Sequence, residues 1–196
     1  AVGKSALIAN TTGTLNTAVG RDALKSNTTA GSNTAVGREA MRDNTTGTNN
    51  VSMGVSALST NTTASSNTAL GTSSLRLNTT GSSNTAVGHQ AMDSNTEGFE
   101  NVVSGYRALY NNTTGDTNTA IGTEALRDNQ TANDNTAVGK SALLSNTTGS
   151  NNTAVGRGAL DASTTGTINT AVGFDALGAN TTGSQQVAVG RNALKL

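Results

Sequence analysis

Apolar positions along this chain come in short, fixed groups, each locked to a glycine. Gly recurs at 3, 20, 37, 54, 71, 88, 105, 122, 139, 156, 173 and 190, always 17 residues apart, with no insertion or deletion. The residue three after each Gly is Ala, with Ser74 as the exception, and the residue four after it is always Leu or Met. Between these points the chain is polar, and the unit reads N-T-A-V-G-x-x-A-L-x-x-N-T-T-G-x-x. The pair after Gly wanders freely, as in Arg21-Asp22, Val55-Ser56, His89-Gln90, Tyr106-Arg107 and Phe174-Asp175. Fixed columns are expected to meet packed atoms, and wandering columns to meet solvent.

Each unit predicts three local pieces. N-T-A-V-G is the strand, because Thr and Val favour extended backbone and alternate side chains part to opposite faces. Thr17 and Val19 then share one face, while Ala18 takes the other. Val51, Val102 and Val187 replace Thr, a swap of equal shape that suggests a packed column; the small Ala column suits close approach by another surface. Both faces of the strand are therefore expected to be covered. G-x-x-A-L-x-x-N leaves room for one short helical turn that points Ala23 and Leu24 inward together, with Asn27 ending it in the left-handed region. N-T-T-G closes the unit as a turn in which Gly supplies a positive φ.

A fixed period without indels is the mark of stacked units that cannot bury their apolar face alone. The expected fold is all-β, a parallel β-solenoid or β-roll of twelve 17-residue repeats forming one array over 1–196. The ladder positions are Asn16, Val19, Gly20, Ala23, Leu24 and Asn27 in one coil, and Asn33, Val36, Gly37, Ala40, Met41 and Asn44 in the next. Stacked Asn side chains satisfy turn carbonyls and amides from coil to coil. One coil per unit gives a rise of about 4.8 Å, hence a rod on the order of 50 Å long. So thin a core predicts that several chains wind together, a homotrimer with the Ala18 column as its interface. Ala1 and Leu196 each fall mid-unit and no cap composition marks either end, so a segment of a longer fibre is expected.

Composition narrows the functional classes. Lys+Arg and Asp+Glu are both 12, which removes the electrostatic case for nucleic acid. There is no Cys for disulfides or thiolate sites, and no apolar run long enough for a membrane helix. Low aromatic content (2%) and low hydrophobicity (33%) without net charge or Pro fit an ordered repeat better than disorder.

The repeat N-T-A-V-G-x-x-A-L-x-x-N-T-T-G resembles the tandem arrays of large bacterial and phage tail-fibre-domain proteins, and it does so in all twelve copies. Its strand portion is also similar to the shorter S-V-A-I-G repeats in the heads of trimeric autotransporter adhesins, although Thr stands here where those have an apolar residue. The resemblance implies a trimeric fibre, display outside the cell or on a virion-like particle, and an attachment or spacer role.

Candidate chemistry is sparse. His89 stands in a wandering column with no second His or Cys, which predicts an exposed, non-catalytic residue. Asp22, Glu39, Asp43 and Glu124 are scattered and expected to pair with Arg or Lys. No recurring acidic column suggests a metal, and Lys-Ser after Gly3 and Gly139 lacks the spaced glycines of a phosphate loop. The chain is thus expected to be non-enzymatic and to use no cofactor. N-T-T at Asn10, Asn27 and onward is formally a glycosylation acceptor, but its place in a ladder predicts a structural Asn. Phe99, Tyr106 and Tyr110 gather in two units and form a candidate surface patch for a cell-surface glycan or a protein receptor. Thr28, Thr29, Thr45, Thr46, Thr62 and Thr63 form adjacent ladders, which raises an alternative role in binding ice.

Overall fold

The computed structural model describes residues 1–195. Eleven three-residue strands, β1 (Thr17–Val19), β2 (Thr34–Val36), β3 (Val51–Met53), β4 (Thr68–Leu70), β5 (Thr85–Val87), β6 (Val102–Ser104), β7 (Thr119–Ile121), β8 (Thr136–Val138), β9 (Thr153–Val155), β10 (Thr170–Val172) and β11 (Val187–Val189), stack in chain order into one parallel sheet. Every pair is in register with a 17-residue offset, Thr17 opposite Thr34 and Thr136 opposite Thr153. Val2 bridges Val19 and carries the stack one coil further. The protein is a β-solenoid, one coil per repeat.

The strand faces the opposite way from the sequence reading. Ala18 and its equivalents lie inside the coil, from 0% to 3% exposed, while Val19, Val87, Val155 and Val172 are 36–39% exposed. The Ala column therefore belongs to the chain's own core and is not an interface, and Val19 and Val36 are outward positions rather than core ladder positions. The interior is narrow: each coil also turns in Ala23, Leu24, Asn27 and Asn33 or their equivalents, and the position under the strand is Ala except at Ser52 and Val103, both 0% exposed. Where Ser52 takes the Ala position, its hydroxyl donates to the Ala57 carbonyl at 2.7 Å, so the buried polar atom is satisfied.

No helix forms among the described residues, and the helical turn is replaced by two β-turns. Ala23 N–H donates to Gly20 (3.3 Å) and Asn27 N–H to Leu24 (3.2 Å), while Leu24 N–H donates up to Ala40 of the next coil (3.0 Å) and Asp22 N–H down to Lys4 (2.9 Å). Main-chain groups committed between coils are not available for a helical i→i−4 ladder. Left-handed backbone appears at Asp22 (φ 58) and Leu24 (φ 48), not at Asn27. This explains a sequence regularity: the Leu24 column holds only Leu or Met because a β-branched side chain at such a φ is a true outlier.

The two glycine columns differ in their reasons. Gly71 has φ +132, and a Cβ there would lie 2.5 Å from the Gly88 carbonyl oxygen of the next coil. The turn column, represented by Gly47, is not in the positive-φ region. It keeps Gly because a Cβ would sit 2.6 Å from Asn44 Oδ1 and 2.9 Å from Asn61 Nδ2. Ala30, Ala64 and Ala132 occupy that column in three coils, always between glycine coils.

Candidate functional site

Two Asn ladders hold each turn against the core. Asn33 N–H donates to Asn16 Oδ1 (3.0 Å), and Asn33 Nδ2 donates to the Gly47 carbonyl (2.8 Å). The second ladder runs Asn44 Nδ2 to Asn27 Oδ1 (2.9 Å), and the same amide also donates to Gly47 (3.0 Å). One turn carbonyl thus receives both ladders, so the amides tie the strand's approach to the closing turn in each coil. Asn27, Asn44 and Asn61 are 0% exposed, which leaves their N-T-T sequences no accessible amide for a glycan. The second ladder breaks once, at Ser163, where Asn146 Oδ1 and Ser163 Oγ are both buried without a partner.

Outside the core, three surfaces carry side chains able to meet a partner. The first is the outward face of the sheet, a Thr column (Thr17, Thr34, Thr68 and onward) beside a largely apolar one that includes Met53 at 48% and Ile121 at 41% exposure. Parallel in-register pairing spaces both columns evenly, about 4.8 Å between coils. Hydroxyls of this Thr column make no protein hydrogen bond among the described residues. By contrast, Thr28, Thr45 and Thr62 donate their hydroxyls to the next coil's Thr45, Thr62 and Thr79 carbonyls at 3.4, 2.9 and 3.3 Å. Their neighbours Thr29, Thr46 and Thr63 are exposed.

The second surface is aromatic. Tyr106 stacks on His89 at 5.7 Å with planes 5° apart. The Arg107 guanidinium lies 5.4 Å from the Tyr106 ring and 5.1 Å from the Tyr110 ring. The structure therefore brings Tyr106 and Tyr110 together through Arg107 and adds His89. Phe99, 45% exposed, makes no ring or cation contact with them among the described residues; it stands just after a turn Gly, on a different column of the coil. The contact of His89 with Tyr106 was hidden in the sequence because only the stacking brings residues 17 apart together.

The third surface is charged, and most acids are paired. Arg42 forks onto Asp43 at 2.8 and 2.6 Å, and Arg127 onto Asp128 at 2.9 and 2.7 Å. Arg76 reaches one coil up to grip Asp93, which is 1% exposed, at 2.9 and 2.8 Å. The hydrogen bonds to Asp93 raise the Arg76 pKa above its usual value, and the pair clips two coils together. Among the described residues no three His, Cys, Asp or Glu side chains gather as a metal site, and no helix is long and apolar enough to cross a membrane. The chain matches no family model, no curated protein and no solved structure.

Proposed function

We propose that the chain is a structural shaft, a non-catalytic spacer in an extracellular fibre that presents a binding tip. The observation that carries this reading is the continuous stack: the strands pair in one register throughout, and an Asn ladder joins coil to coil beside them. Such an array resists bending and gains length linearly with each repeat, which is what a spacer requires. The resemblance of the repeat to tail-fibre arrays supports the same role. Assembly is proposed as a homotrimer, with the outward Thr–Val face of each chain turned to a common axis in place of the Ala column. Small-angle scattering of the native protein tests the shaft: a rod on the order of 50 Å long supports it, and a compact globule contradicts it.

A second reading, binding to ice, draws on the unpartnered hydroxyls of the Thr17 column. The Thr28, Thr45 and Thr62 hydroxyls are spent on the next coil's carbonyls, which leaves the exposed Thr29, Thr46 and Thr63 and the Thr17 column of the sheet as candidate ice-facing hydroxyls. Thermal hysteresis of a dilute solution would favour this reading over the shaft, and its absence would remove it.

A further inference from the structure

The residue directly after each fixed Gly lies on an exposed column, and near one end of the rod that column is cationic. Lys140, Arg157, Phe174 and Arg191 follow one another in successive coils. The Arg157 guanidinium lies 5.5 Å from the Phe174 ring centroid and that of Arg191 5.6 Å, one from each neighbouring coil. Such stacking is electrostatic and uses the face of the ring, so it does not consume the guanidinium N–H donors. Among the described residues neither Arg157 nor Arg191 nor Lys140 has an ion-pair partner, whereas Arg21 is held by Asp22 at 3.2 Å and by Glu39 at 3.6 Å. The stretch contains two acids, Asp161 and Asp175, and Asp175 is taken by Lys195 at 2.7 Å.

We propose that Lys140, Arg157 and Arg191, with Phe174 between the two guanidiniums, form a binding site for a linear polysaccharide bearing carboxylate or sulfate groups and lying along the rod axis. The geometry sets the ligand class. Two coil rises place the guanidinium forks about 10 Å apart, a spacing that suits anions carried on every second ring of an extended glycan. A planar fork meets a carboxylate or sulfate with two parallel hydrogen bonds. Nucleic acid fits less well, because both faces of Phe174 are covered and no ring is left as a platform for a base. The inference does not depend on the shaft reading, since the site needs only the stacked coils.

Binding of a heparin oligosaccharide and of an oligogalacturonate to the full chain, by calorimetry at two salt concentrations, tests it. Arg157→Ser with Arg191→Ser is expected to weaken binding by about ten-fold or more, since two charge-assisted contacts, screened at an exposed site, are together worth about that much. Arg21→Ser with Arg38→Ser, in the same column but beside Asp22 and Glu39, is expected to stay within about two-fold by the same reasoning. Phe174→Ala should weaken binding about two- to five-fold by freeing the guanidiniums, and Phe174→Tyr should restore it. All these positions are exposed, and unchanged melting confirms that the variants fold. Three results overturn the proposal: no binding of either probe, equal loss in both Arg double variants, or duplex DNA bound as tightly as the glycans through the same residues.

Discussion

Replacing Ser163 with asparagine restores the one missing rung of the inner amide ladder. In the neighbouring coils each Asn Nδ2 donates to the Asn below and to its own turn carbonyl, as Asn129 does to Asn112 Oδ1 (2.8 Å) and Ala132 (3.1 Å). At 163 the same side chain would reach Asn146 Oδ1 and the Gly166 carbonyl, and its own Oδ1 would accept from Asn180. Two buried polar atoms that now lack partners would be resolved. An unsatisfied buried group costs about 1–3 kcal/mol and a made hydrogen bond returns about 1 kcal/mol, so Ser163→Asn is expected to stabilise the rod by about 2–4 kcal/mol. The coils above and below already accommodate Asn at this site, so no overpacking opposes the gain. Because a long repeat array need not unfold in one step, amide exchange in residues 143–183 is the better readout, with denaturant melting beside it. Asn129→Ser, which makes the same break in an intact stretch, should cost a similar amount. The reasoning fails if Ser163→Asn leaves exchange unchanged while Asn129→Ser is also silent.

Further outcomes follow from backbone and charge. Leu126, buried at φ 51, should accept Met with a loss below about 1.5 kcal/mol, whereas Leu126→Ile, of equal size but β-branched, should lose about 1–2 kcal/mol more in melting. Ile168 is a β-branched residue at φ 58 and 55% exposed, so Ile168→Asn should stabilise by about 1 kcal/mol in the same assay. Burial, and secondly the Asp175 charge, raise the Asp161 pKa above 3.8. The fold then favours the protonated acid, and stability is lost as pH climbs from that ordinary value through the raised one. Asp161→Asn removes this loss, so its melting advantage over the native chain should be present near neutral pH and absent in acid well below the ordinary aspartate range.

The repeat, the parallel stacking and the single coil per 17 residues were legible because an exact period of Gly, Ala and Leu admits few other solutions. The strand's direction was not. T-A-V carries apolar atoms on both faces, so alternation alone does not say which face is inside, and the exchange of Thr for Val looked like packing. What decides it is volume: with Leu24, Ala23 and two Asn side chains already in the coil, the smaller Ala18 column goes beneath the strand, and Val103 is the largest side chain that column takes. The helical turn was misplaced for a related reason, since Ala-Leu adjacency has two inward solutions and the left-handed one is visible only in the column's refusal of Val and Ile. Of the aromatic candidates, Tyr106 and Tyr110 are joined through Arg107, which lies against both rings, while Phe99 lies on another part of the coil.

The most direct test of the account is the solution mass of the native chain beside a variant carrying Ile121→Ser, Val138→Ser and Val155→Ser, measured by light scattering after size exclusion. These three side chains point outward from β7, β8 and β9, so the fold should survive their loss. Three times the 19.5 kDa chain mass is expected for the native protein and a folded single chain for the variant. A native monomer, or a trimer that persists in the variant, would contradict assembly through the outward Thr–Val face.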